Sequence, residues 1–156
     1  FPAYQESYEE NSPAHHFDYF IHGAGYPYHH CFREKHFSFA RYDSLWPGFL
    51  QAEHETDSAV RLAFFRLRHP AELSEEARQA YLDFLRAHCG ETLSYLLTVR
   101  DVRGLSWALP QLLPDRASLT AACAQARASG LTEALALLME DQHRRFSTGA
   151  CQDFSL

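Results

Sequence analysis

Leucine is almost confined to one side of this chain. Only Leu45 and Leu50 precede residue 57, and the other eighteen leucines lie in 57–156 with most of the alanines. Residues 1–56 instead hold fourteen of the twenty-two aromatics, mixed with Gly, Pro, His and Asn. Leu and Ala with Arg and Glu form helices, because straight side chains lose little rotamer freedom there; the aromatic mixture does not. The chain therefore divides into an aromatic, histidine-rich N-terminal arm over 1–56, a helical domain over 57–146, and a C-terminal tail over 147–156 that is expected to fray. Charge divides too: the first segment sets Arg33, Lys35 and Arg41 against eight acidic residues, and the rest is nearly balanced.

Apolar spacing and stop signals place about six short helices in the second segment. The first begins near Asp57, carries Val60, Phe64 and Leu67, and stops at His69-Pro70. Ser74 caps the second, with Ala77, Tyr81, Phe84, Leu85 and His88 as its stripe and Gly90 as its stop. A third bears Leu93, Leu96, Leu97 and Val99. A fourth runs from Asp101 with Leu105, Leu109, Leu112 and Leu113, and Pro110 is expected to kink or shorten it. Pro114-Asp115 opens a fifth with Leu119, Ala122, Cys123 and Ala126, ended by Gly130. Thr132 caps the last, with Leu135, Leu138 and Met139 inward and Arg144-Arg145 at its C-terminal end, where cations suit the dipole. Connections of two to five residues make neighbouring helices antiparallel.

A shift of twenty-six residues superposes Gly104-Leu105 on Gly130-Leu131. It also pairs Ala108 with Ala134, Leu109 with Leu135, Leu112 with Leu138 and Leu113 with Met139. The unit is helix, Gly-containing turn, helix, and a single unit cannot bury both of its apolar faces, so units stack. The stretch from Ala126 to Met139 resembles the body of an ankyrin repeat, matching it at Gly130, Glu133, Ala134, Leu135, Leu138 and Met139. The unit at Gly104 departs from that pattern at Trp107 and Pro110. The family's Thr-Pro-Leu-His opening and its β-hairpin finger are missing from both units, and twenty-six replaces its spacing of thirty-three. The chain as a whole resembles bacterial proteins with degenerate ankyrin-like helical tails. The resemblance implies an all-α fold, a short stack of antiparallel helical hairpins that binds another protein without catalysis or cofactor.

The arm is expected to be irregular and to cap that stack, with Gly23, Gly25 and Pro27 making its turns and a short strand over Phe37–Tyr42. Trp46-Pro47-Gly48-Phe49 is expected to be a turn whose rings pack. Two other readings use the His-rich segment 15–36. His22, His29, Cys31 and His36 are ligand types that zinc prefers, although adjacent His29 and His30 point to opposite faces of an extended backbone and the spacing matches no standard finger. A Cys-His enzyme would use Cys31 as nucleophile, a nearby His as base, and Asp18 or Asp43 to orient it. No cation or helix start that would lower the thiol pKa is evident near Cys31.

The net charge is −6, there is no Lys/Arg run, and no eighteen-residue apolar window exists, which argues against nucleic-acid binding and a membrane span. Four dispersed cysteines without a CxxC pair fit a reducing cytoplasm better than a disulfide framework. Phe1 in place of Met suggests a processed or partial chain. The expected function is protein–protein interaction, with Tyr26, Tyr28, Trp46, Phe49 and Trp107 as interface anchors and a basic surface on the partner. The alternative is a metal-binding or Cys/His-dependent enzyme built on the His-rich segment.

Overall fold

The computed structural model describes residues 25–33, 36–53 and 55–146. The expectations for His15, His16, His22, Gly23 and the tail over 147–156 lie outside the described residues. Contacts divide the chain into two units, one taking residues up to 54 and Ala71–Ser74, the other Glu55–Pro70 and everything from Glu75. Among the described residues the fold is helical, with one short β-ladder, and no helix is long and apolar enough to cross a membrane.

Where it is described, the first unit is built from regular elements rather than an irregular arm. A 3-10 helix over Tyr26–Cys31 opens with the Tyr28 N–H on the Gly25 carbonyl (3.1 Å). It leads into an antiparallel pair, β1 (Phe32–Arg33) and β2 (His36–Phe37), with Phe32 opposite Phe37. Of the expected strand over Phe37–Tyr42 only Phe37 lies in a strand, at the end of β2, and the rest from Phe39 belongs to helix α1 (Phe39–Ser44). Ser38 decides this locally: its hydroxyl accepts from the Arg41 N–H at 3.3 Å, satisfying a donor that a helix start leaves open. The expected turn at Trp46-Pro47-Gly48-Phe49 is likewise the start of helix α2 (Trp46–Ala52). Pro47 stands in its first turn, where a missing N–H costs nothing and the fixed φ suits the helix.

Among its described residues the second unit has six helices: α3 (Thr56–Arg68), α4 (Glu75–Ala87), α5 (Cys89–Thr98), α6 (Val102–Leu112), α7 (Arg116–Ala128) and α8 (Thr132–Phe146). Helix α3 packs on α4 and α5, α5 on α6 and α7, and α8 on α7 and α6. With α4 touching α6, the odd helices form one row and the even helices another. Tyr81, Leu85, Leu93, Leu96, Leu105, Leu119 and Leu138 are fully buried among them.

The odd helices end at thirty-residue intervals. His69, Val99 and Ser129 are their C-caps, and their N–H groups donate to Phe65, Tyr95 and Gln125 carbonyls, each at 3.0 Å. The second and third ends then close alike. Arg100 (φ 57°) and Gly130 (φ 66°) turn through the left-handed region. The Asp101 N–H reaches the Leu96 carbonyl (3.0 Å) and the Leu131 N–H the Ala126 carbonyl (2.9 Å), bonds that satisfy otherwise open C-terminal carbonyls. Buried positions follow the same interval, as in Ala63, Leu93 and Cys123, or Arg66, Leu96 and Ala126.

The structural interval is thus thirty, not the twenty-six that equates Gly104 with Gly130. Gly104 is the third residue of α6, and the true counterpart of Gly130 is Arg100. The two registers differ by four residues, about one helical turn, so the shifted alignment keeps the apolar face while misplacing the turn. Gly104 answers to packing: a Cβ there would lie 2.9 Å from the Phe64 ring and against the Asp101 carboxylate.

Other local expectations change for identifiable reasons. Gly90 is inside α5, not a stop, because the break falls at His88. Helix α6 continues past Pro110 for two residues and ends with Leu113 left-handed (φ 51°) and 60% exposed. Met139 is 51% exposed, and Val99, a C-cap, is also exposed; Ala134, Leu138 and Asp141 form the buried stripe of α8. Asp141 is buried because Arg145 Nε meets one of its oxygens at 2.6 Å and Arg144 bonds the other. Arg145 also donates to the Leu109 carbonyl (2.7 Å), while Arg86 of α4 donates to the Gln111 carbonyl (3.0 Å). Two arginines from the flanking helices thereby cap the C-terminal carbonyls of α6.

Candidate functional site

The α3, α5 and α7 row carries a groove of about 560 Å³. Helix α5 lines it with Gly90, Glu91, Ser94, Tyr95 and Thr98, spaced so that all share one face. Helix α7 lines it with Ser118, Ala121, Ala122 and Gln125, and the first turn of α3 adds Asp57. The groove exists because these positions are small. Opposite faces of the same helices hold Leu93, Leu96, Leu119 and Cys123 in the core, whereas Gly90, Ser94, Ala121 and Ala122 leave space between α5 and α7.

Polar groups in the groove are tied down from within. Gln125 Nε2 donates to the Ser94 carbonyl (3.3 Å), and so does the Thr98 hydroxyl (2.8 Å). Glu91 has His88 Nδ1 at 3.9 Å and remains more than half exposed. Among the described residues the lining holds two carboxylates, Asp57 and Glu91, and no Lys, Arg or His. Tyr95 is partly exposed, and its ring meets Phe64 edge-on at 6.5 Å between centroids. This is a surface for recognition: hydrogen-bonding groups, two anions and one ring around an open floor.

Sequence reasoning missed the groove because it followed the leucine stripes. The available signal was the other face of α5 and α7, where small residues recur at helical spacing.

Three of the five anchor residues named from sequence come together in the first unit, but as packing. Tyr28 lies 4.5 Å from Tyr42 and 5.8 Å from Phe49, and Trp46 stacks on Phe49 at 5.9 Å. Trp46 and Phe49 are buried, so their rings fill a core instead of presenting a surface. Burial, helped by Tyr42, Cys31 and Asp43, pushes the Tyr28 hydroxyl well above its ordinary range. The side chain of Tyr26 lies outside the described set. Trp107 belongs to the second unit, where it packs edge-on against Phe64 (5.6 Å) with the Arg68 guanidinium 6.0 Å from its ring.

Of the His-rich candidates, His22 and the side chain of His29 lie outside the described residues. His36 is exposed on β2, and Cys31 is fully buried. Burial raises the Cys31 thiol pKa, against a smaller opposing effect of Arg41, which keeps it protonated at neutral pH. Among the described residues no three His, Cys, Asp or Glu side chains are grouped to hold a metal ion.

No protein family matches this chain, and neither does any curated protein or solved structure.

Proposed function

We propose that the chain is a protein-binding module: a short ankyrin-like stack of antiparallel helical pairs that docks a segment of another protein on its α3, α5 and α7 row. The observation that carries this reading is the groove between α5 and α7, on the face away from the leucine core. Repeated helical pairs have this as their natural use, since successive units hold equivalent residues in line along one face. Recognition rests on shape and hydrogen bonding, without catalysis or cofactor. The described cysteines Cys31, Cys89 and Cys123 are free thiols, which suits the reducing compartment expected from the sequence.

The experiment is selection of disordered-peptide libraries displayed on phage against the intact chain. The reading expects a recurring peptide motif whose synthetic form binds saturably. It also expects loss of binding when Ala121→Arg fills the groove while thermal unfolding stays unchanged. Absence of any recurring motif, or peptides indifferent to Ala121→Arg, overturns it.

A further inference from the structure

The groove carries a more specific assignment than protein binding in general, and it rests on that reading. Among the described residues its lining offers anions and an aromatic ring but no cation. Asp57 comes from the first turn of α3 and Glu91 from the first turn of α5, so two separate helices bring their carboxylates to one depression. Glu91 is more than half exposed, and its neighbour His88 Nδ1 stands at 3.9 Å, beyond hydrogen-bond reach. Tyr95 lines the same depression, aromatic rings attract cations, and Gly90 and Ser94 are small.

We infer that the groove takes an arginine or lysine side chain from an extended basic segment of a partner protein, with Glu91 and Asp57 as its counter-ions and Tyr95 as the ring it lies against. Charge complementarity decides the occupant: a phosphate-bearing or acidic ligand meets two carboxylates, whereas a basic side chain gives them a counter-ion. The long cationic stem fits a groove whose floor is small and whose charge sits at the edge.

The test uses the peptides recovered by display on the full chain, measured by fluorescence anisotropy against wild type, Glu91→Gln, Asp57→Asn and the control Glu140→Gln on α8. The inference expects Arg or Lys at a fixed place in the motif. Affinity should fall about tenfold for Glu91→Gln and for the peptide with that cation replaced by norleucine, in line with loss of a charge-assisted bond. The two losses should not add when combined. Binding should also weaken as salt rises, while Glu140→Gln leaves it unchanged. Groove-dependent peptides without a basic residue, or with affinity indifferent to Glu91→Gln and Asp57→Asn, overturn the inference while leaving a protein-binding module. A concentration-dependent dimer abolished by Glu91→Gln makes the occupant a second copy of this chain and also overturns it. Absence of any recovered motif removes the broader reading as well.

Discussion

Arg100 and Gly130 hold the same place in the fold thirty residues apart, each following a helix C-cap in the left-handed region, with φ 57° and 66°. Only one of them is suited to it. A side chain in this region costs about 1–2 kcal/mol, partly offset because glycine loses more freedom on folding. Arg100→Gly is therefore expected to stabilise the chain by about 0.5–1 kcal/mol, and Gly130→Ala to destabilise it by about 1 kcal/mol. Urea unfolding of the two variants checks both signs.

Gly104 obeys a different constraint. Its N–H donates to Asp101 Oδ1 at 2.8 Å, and an added Cβ would run into that same carboxylate and the Phe64 ring. Gly104→Ala is expected to cost about 2–3 kcal/mol by overpacking, despite alanine being the better helix former. Phe64→Leu in the same chain should recover part of that loss, a coupling that a double-mutant cycle in denaturant measures directly.

Asp141 is buried between two arginines of its own helix, and one of these also caps α6. Removing the carboxylate leaves Arg145 partly buried and uncompensated, so Asp141→Ala is expected to cost about 3 kcal/mol. Arg144 is largely exposed, and Arg144→Ala should cost no more than about 1 kcal/mol. Equal losses for the two would contradict the network.

The pH dependence of stability should show two separable limbs. Burial, aided by Asp115, lifts Cys89 to about 11 from an ordinary 9.0. The unfolded chain then ionises first, so stability should decline as pH rises from about 9 to 11. Cys89→Ser should make that limb shallower without abolishing it, because burial also raises the Cys31 and Cys123 thiols. Asp115 shifts the opposite way, because the Ser118 N–H donates to its carboxylate at 2.7 Å at the start of α7. Its contribution is complete above the ordinary carboxyl value and should fade as acid carries the pH through the lower folded one. Asp115→Asn keeps a cap and should remove this limb, while reducing the alkaline one only by the part of the Cys89 shift that Asp115 supplies.

Much of the helical region could be read from residues whose local chemistry is decisive. His69-Pro70 stops α3, because proline lacks the N–H needed to continue; Asp101 and Asp115 cap α6 and α7 through their side chains. The repeat interval was harder to read, since a slip of one helical turn leaves the apolar stripe almost unchanged and Arg100 gives no sign of a left-handed turn. Residues 38–52 read as strand and turn because aromatics, proline and glycine dominate there. Ser38 and Pro47 nevertheless act as helix starters, a role set by position rather than composition. The groove was invisible to any search for titratable clusters. It is defined by what Gly90, Ser94, Ala121 and Ala122 lack.

The central claim is that α5 and α7 present a docking face. Amide shifts of the isotopically labelled chain on titration with a peptide recovered by display test it most directly. The account predicts that the largest changes cluster at Gly90–Thr98 and Ser118–Gln125, with α4, α6 and α8 nearly silent. Changes centred on the even helices, or on the Tyr28, Trp46 and Phe49 cluster, would contradict it.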